Sequence, residues 1–286
     1  MQACASPVNL SHEGVVSGNV EIAPACWRLE IRCPELARSA RPGQFVMLRC
    51  RQGLDPLLSR AFSVADVVRE GGEPVGIVVL QVVIGVGTQA LAERVVGEAI
   101  GLLGPLGNPY DLGTVDEHMV LVAGGIGAAP FLFVARALRE RSSTQRVTYL
   151  VGGRDADHVY LAGEIRGLGC DVGVATDDGS QGHHGYVTQL LEPHLRPGVR
   201  VLACGPNPMF KSLAKVVEEA RAGGLAFPCE VSTEETMPCG YGACAGCVVP
   251  LRSDAHPDGY RYGKSCVEGP VFPVEAIRWD LMRSIH

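Results

Sequence analysis

Two rhythms of apolar and polar positions divide the chain. Over 15–112, short apolar runs alternate with turn signals and predict β-strands at 18–22, 27–32, 44–49, 61–68 and 75–84. The punctuation is Cys33-Pro34, Arg41-Pro42-Gly43 and Gly71-Gly72-Glu73-Pro74, since proline presets φ and glycine admits the positive φ that turns need. Strands at this even spacing predict a small antiparallel barrel. One helical turn is expected in this region, at 88–93.

From Glu117 the rhythm changes. Continuous apolar runs predict buried strands at 119–123, 147–151, 171–175 and 201–204, alternating with helices at 129–141, 157–168, 185–191 and 208–222. Such alternation gives βαβ units and a parallel sheet covered on both faces. Seventeen residues, 119–135, carry no charge. Gly124, Gly125, Gly127 and Pro130 interrupt them, so the run predicts core and not a membrane span. Gly223-Gly224 closes the last helix. The expected fold is multi-domain: an antiparallel β-barrel at 1–113, an α/β parallel-sheet nucleotide-binding domain at 114–226 and a small cluster domain at 227–286.

That last segment carries the sharpest chemical signal. Cys239, Cys244 and Cys247 are spaced C-x4-C-x2-C, and eighteen residues separate Cys247 from Cys266. This is the plant-type [2Fe–2S] spacing, in which four thiolates hold two irons. Glycine and alanine fill the run apart from Tyr241, which lets backbone N–H groups reach the sulfurs and tune the centre. A four-cysteine zinc site is the alternative, although zinc knots favour two close cysteine pairs. Disulfides fit poorly, with three cysteines inside nine residues. The other seven (Cys4, Cys26, Cys33, Cys50, Cys170, Cys204 and Cys229) read as free thiols in a reducing compartment.

Composition narrows the class. Of 286 residues 47% are apolar and 20% charged, which suits a globular protein with ample core. A net charge of −6 and a pI near 5.8 argue against a nucleic-acid partner. The first residues lack a basic segment followed by an apolar one, so no signal peptide is expected and the cytoplasm is the expected location.

Several short motifs fall at strand ends. Arg60-Ala61-Phe62-Ser63 offers a guanidinium for a pyrophosphate, a ring for stacking and a hydroxyl for a ring nitrogen. Alone, it could equally be a solvated edge. Gly85-Val86-Gly87-Thr88 precedes a helical turn, where N–H groups can meet phosphate, although most such glycine pairs only mark bends. Gly124-Gly125-Ile126-Gly127 lies between a strand and a helix N-terminus, an anion-friendly place; a plain βα turn is the bland reading. Cys204-Gly205-Pro206 ends the fourth strand, where parallel sheets bind ligands. No histidine partner can be assigned to make Cys204 a nucleophile. Asp177, in Thr176-Asp177-Asp178-Gly179, would repel a 2′-phosphate and accept from a ribose diol, favouring NAD over NADP; it could also be a simple turn. His183-His184 reads as solvated, and Trp27 and Trp279 as packing.

In order and spacing these motifs, with Gly104-Pro105-Leu106-Gly107, resemble the ferredoxin–NADP reductase superfamily. Adding Glu234-Glu235-Thr236-Met237-Pro238-Cys239 and Cys266-Val267-Glu268-Gly269-Pro270-Val271-Phe272, residues 15–275 look like the electron-transfer subunits of NAD-dependent dihydroorotate dehydrogenases. The resemblance implies FAD between barrel and sheet, a [2Fe–2S] cluster, NAD as substrate and an FMN-containing dihydroorotate dehydrogenase partner in a heterotetramer of two copies of each chain. It implies that Arg60, Ala61, Phe62 and Ser63 hold the flavin, that Leu80, Gln81 and Val82 contact it, and that Gly87 and Thr88 meet its phosphates. Gly124, Gly125, Gly127, Asp177, Cys204, Gly205 and Pro206 would serve NAD, and Cys239, Cys244, Cys247 and Cys266 the iron. No acid–base side chain is expected to be essential, because the cofactors carry the chemistry. Two features depart from the pattern: Ala61 stands where relatives often carry proline, and the insert 248–265 is long. A flavin subunit of a ferredoxin:NAD(P)H oxidoreductase or a sulfide dehydrogenase is the nearest alternative. A zinc-stabilised nucleotide-binding module is the non-redox one.

Overall fold

The computed structural model describes residues 10–282; Cys4 lies outside them. Seven strands build the first sheet: β1 (Ser11–Ala23), β2 (Cys26–Arg32), β3 (Phe45–Leu48), β4 (Arg60–Ser63), β5 (Asp66–Glu70), β6 (Glu73–Val82) and β7 (Ala99–Leu106). Their order is β4-β3-β7-β1-β2-β6-β5, and every pairing is antiparallel. The edge strands β4 and β5 are consecutive in the chain. Val64 N–H bonds to Gln44 on one edge and Ala65 N–H to Val78 on the other, so this short link curls the sheet into a barrel. The single strand expected at 61–68 is therefore two, because its halves pair with opposite edges.

Alternation fixes the barrel core. Val46, Leu48, Ile77, Val79, Leu29 and Ile31 point inward, while Phe45, Met47 and Leu106 point outward toward the C-terminal segment. Helix α1 (Pro34–Ser39), which the sequence reading did not anticipate, begins with a proline at its first position and plugs the barrel with Leu36 and Ala37. Helix α2 (Val86–Ala92) covers the expected turn. Strand β7 was also unanticipated. Its alternating burial is hidden in sequence by Gly101, Gly104 and Pro105.

The second sheet contains β8 (His118–Gly124), β9 (Val147–Gly153), β10 (Asp171–Thr176), the two-residue β11 (His183–His184), β12 (Val199–Cys204) and β13 (Cys229–Ser232), all parallel. Helices α3 (Phe131–Arg141), α4 (Ala162–Gly167) and α5 (Asn207–Ala222) cover it. The helix expected at 157–168 is broken, because Leu161 takes a left-handed φ of 62° before α4 starts. The helix expected at 185–191 is a short 3-10 turn at Val187–Leu190. The uncharged run 119–135 is β8 and the first half of α3, buried between layers. No helix among the described residues is long and apolar enough to cross a membrane.

Beyond β13 the chain forms the hairpin β14 (Val248–Arg252) and β15 (Tyr260–Lys264), the short helix α6 (Ser265–Glu268) and β16 (Val271–Pro273). Strand β16 returns antiparallel to β13, pairing Ser232 with Val271. Residues 227–286 thus contribute two strands to the α/β sheet, whose last members lie beyond the expected limit at 226.

One strap joins all parts. Gln44 Nε2 donates to Gly107 O at 2.9 Å, and Asn108 donates from its backbone to Gly269 O and from Nδ2 to Glu268 O. Tyr110 donates its hydroxyl to Ala203 O of β12 at 2.9 Å. A second seam is ionic. Arg136 of α3 grips Asp66 of β5 through Nε and Nη2, with Nη2–Oδ2 at 2.8 Å, and the Asp66 side chain is 4% exposed. Removing one partner of such a pair strands a buried charge. Arg136→Met is expected to cost about 3 kcal/mol, read from the urea midpoint, while Asp66→Leu/Arg136→Met recovers most of the loss. An Arg136→Met protein as stable as its parent would show that the seam does not rest on this pair.

Candidate functional site

Sheet order reverses between β8 and β12, the place where open parallel sheets form a ligand crevice beyond their strand ends. Here that crevice opens against the barrel mouth and forms one cleft of about 1590 Å³. Its walls are β4, β6 and the start of β3 on the barrel side, the ends of β8, β9 and β12 on the sheet side, and the segment 232–238 leading into the cysteines.

Most of the residues singled out in sequence meet in this cleft. Arg60, Ala61, Phe62, Ser63, Leu80, Gln81, Val82, Thr88, Gly124, Gly125, Asp177, Cys204 and Pro206 all line it. Gly87, Gly127 and Gly205 stand behind the lining and explain its shape. The Arg60 guanidinium donates to Leu58 O at 2.8 Å and lies over Gly87, where a Cβ would sit 2.8 Å from Nε. Gly127 packs so tightly on the end of β12 that a Cβ would collide with the Cys204 carbonyl. The Thr88 hydroxyl is occupied in its own turn, accepting from Ile84 N at 2.9 Å and donating to Gly85 O.

The polar lining is unusual in two respects. Gln81 is 1% exposed, yet neither of its amide atoms has a hydrogen-bond partner among the described residues. An unpaired buried amide costs about 1–3 kcal/mol, so this side chain fits a cleft completed by a polar group such as the edge of a flavin. Glu234 and Glu235, which were not among the expected site residues, also line the cleft. Burial pushes both carboxyls up to about 7. Glu234 accepts from Cys204 Sγ at 3.9 Å. Burial and the nearby Glu234 hold the Cys204 thiol well above its usual range, so it stays protonated and is no nucleophile. Two adjacent acids just before the cysteine run were the only sequence hint. Arg154, Tyr160 and Tyr186 reach the cleft from β9 and two loops, and no local pattern marks them.

The four cysteines of the C-terminal run gather on the outward face of β3 and β7. Cys247 and Cys266 are buried there with Met47 and Leu106, and Cys244 is exposed. Gly240 takes φ 81°, and a Cβ on it would lie 2.6 Å from Met47 Cγ, so only glycine lets the loop settle. The thiols approach in two pairs, Cys239 with Cys244 and Cys247 with Cys266. Burial raises Cys239, but N–H groups of Cys244, Tyr241 and Ala243 aim at its sulfur and bring it below the usual thiol value. No three metal-ligating side chains among the described residues converge as for a single ion. Four cysteine thiols gathered in one segment are the donor set a two-iron cluster takes. The cysteines outside this run, Cys26, Cys33, Cys50, Cys170, Cys204 and Cys229, are free and buried.

Comparison with known proteins agrees. Residues 234–278 match the iron–sulfur cluster binding domain of dihydroorotate dehydrogenase B, and 121–215 match the oxidoreductase NAD-binding domain. A Desulforamulus reducens protein named dihydroorotate dehydrogenase B (NAD(+)), electron transfer subunit, is 36% identical over 262 residues, 91% of this chain and 95% of that one. The chain belongs to this family. A Bacillus cereus member of the dihydroorotate dehydrogenase B electron-transfer subunits is 34% identical over the same shares. A chain of the NADH-dependent reduced ferredoxin–NADP oxidoreductase superposes with a TM-score of 0.75 at 28% identity, covering 93% of this chain and 90% of that one. The ferredoxin NADP⁺ reductase of Neisseria gonorrhoeae, solved with FAD and NADP, shares the fold (TM-score 0.60, 19% identity, 73% and 91% covered). As a dihydroorotate dehydrogenase B electron-transfer subunit, the chain is part of an oxidoreductase, and its family name implies a catalytic partner.

The two raised carboxyls give this subunit a pH signature. A carboxyl whose folded pKa exceeds its unfolded one stabilises fully below about 4.3 and loses that contribution as pH rises to the folded value. The cofactor-free protein is expected to lose stability between about pH 4 and 7, and Glu234→Gln/Glu235→Gln to flatten that part of the curve. Urea midpoints against pH decide this: equal slopes in parent and variant would remove the assignment.

Proposed function

We propose that this chain carries electrons between the FMN of a dihydroorotate-oxidising partner and NAD, using a [2Fe–2S] cluster and FAD held in its own cleft. The observation that carries the reading is continuity: the wall of the cleft runs without a break through Glu234, Met237 and Pro238 into Cys239. Bound FAD exchanges two electrons with a nicotinamide and single electrons with an iron–sulfur centre, which is why the two sites belong on one chain. The protein supplies position and environment.

Arg60, fixed by the Leu58 carbonyl, offers a guanidinium to the pyrophosphate. Phe62 and Ser63, further along β4, line the same cleft and would serve the flavin ring, and the Gln81 amide would take one of its polar edges. Gly124 and Gly125 at the end of β8, with Gly205-Pro206 at the end of β12, let a dinucleotide come close to the backbone. Asp177, exposed at the end of β10, selects a ribose diol over a 2′-phosphate. The four thiolates hold iron, and the N–H groups around Cys239 stabilise the charged sulfur. The partner complex contains two copies of each chain and works in the cytoplasm, where the buried free thiols stay reduced. The likeness to a chain of a ferredoxin-dependent oxidoreductase supports a second reading, with ferredoxin as partner; assaying NAD⁺ reduction with each partner separates the two.

Two variants test the arrangement. Cys244→Ser should abolish electron transfer to the partner while NADH still bleaches the flavin at nearly the parental rate. Equal loss of both activities would refute the assigned order. Gln81→Leu removes two unpaired atoms, so it should stabilise the flavin-free protein and weaken flavin binding by about tenfold, the worth of one hydrogen bond. Unchanged flavin affinity by titration would take Gln81 out of the site.

A further inference from the structure

Three side chains belong to both sites. Phe45, on β3, is 3% exposed, lines the cleft and packs in the same apolar cluster as Cys247 and Cys266. Met237, 9% exposed, does the same from the other direction, two residues before the first cysteine. Ala61 of β4 completes the layer from the side. The alternation of β3 explains the placement. Val46 and Leu48 fill the barrel, while Phe45 and Met47 face outward to the cysteine segment, and Phe45 is the outward residue at the end of the strand where the cleft opens.

We propose that Phe45 and Met237 form the spacer between the flavin cleft and the cluster: a packed, water-free layer that sets their separation and carries each electron across. This rests on the reading of the cleft and the cysteines given above. An aromatic ring and a thioether suit the task. Both are polarisable, both fill space without polar atoms, and methionine adapts to irregular gaps. Close packing keeps atoms in contact along the route, whereas a cavity forfeits those contacts. The step balances simply. Each NADH gives up a hydride, two electrons and one proton, and leaves as NAD⁺; one electron would cross the layer to the cysteine-held iron, and the other electron and the proton would stay with the bound flavin.

The test uses the full chain loaded with FAD and iron. Phe45→Ala, Met237→Ala and Met237→Leu are compared for flavin and iron content, for the spectrum of the cluster after chemical reduction, and by rapid mixing with NADH. The expected result is an unchanged cluster spectrum and, in both alanine variants, a several-fold slower appearance of the reduced cluster relative to that variant's own rate of flavin bleaching. Met237→Leu, which keeps the volume, should restore the parental rate. Parental rates of cluster reduction in fully loaded alanine variants would overturn the proposal. If Phe45→Ala fails to retain iron, Phe45→Leu decides by the same comparison. A parent protein that takes up neither flavin nor iron would instead overturn the reading of the sites themselves.

Discussion

The molecule depends on one junction, the strap from Gly107 to Tyr110. Strand β7 ends there, and the next residues bond in succession to the cysteine segment through Asn108 and to the parallel sheet through Tyr110. Gly107 must be a glycine, with φ 75°, because Phe45 on one side and the Gly269-Pro270 backbone on the other leave no room for a side chain. The barrel mouth, the switch point of the sheet and the cysteine loop are consequently held against one another, and the cleft is the space they leave. The ion pair of Asp66 with Arg136 makes a second seam between the barrel and helix α3.

The cleft is electrostatically graded. At the barrel end Arg60 offers positive charge, and at the end of β10 Asp177 is negative. In between, toward the cysteines, fixed charge is reduced, because burial pushes Glu234 and Glu235 up to about 7, so that each is only partly ionised near neutrality, and Cys204 stays a thiol. Charge thus sits where a phosphate or a ribose would be recognised and is reduced where electrons would move. In a low-dielectric interior a fixed charge would bias the energy of the neighbouring centre strongly.

Much of this was legible in the sequence. The parallel strands could be read because strands buried on both faces are continuous apolar runs, as in Met119 to Ala123. The cysteine spacing could be read because metal geometry restricts it. The glycine turns at 124–127 and 204–206 stood out because parallel sheets bind ligands beyond their strand ends, whereas Arg60 to Ser63, within a barrel strand, gained meaning only from the family resemblance. What stayed hidden depended on pairing. Nothing local says that 61–68 is cut in two by opposite edges of a sheet, or that β7 exists beneath its glycines and Pro105. Glu234, Tyr160 and Phe45 reach the site only through topology, since the cleft is closed by residues far apart in the chain.

Strand β13 leaves the sheet at Ser232, and β16 returns beside it at Val271, its registered neighbour. Everything between, including all four cysteines and the hairpin of β14 and β15, hangs from two adjacent points on a sheet edge. In a loop whose ends meet in this way, the exposed hairpin can vary in length with little disturbance to its host. The cysteine segment therefore has the form of a single excursion from one place on the sheet edge, folded back onto the barrel through Met237, Cys247 and Cys266.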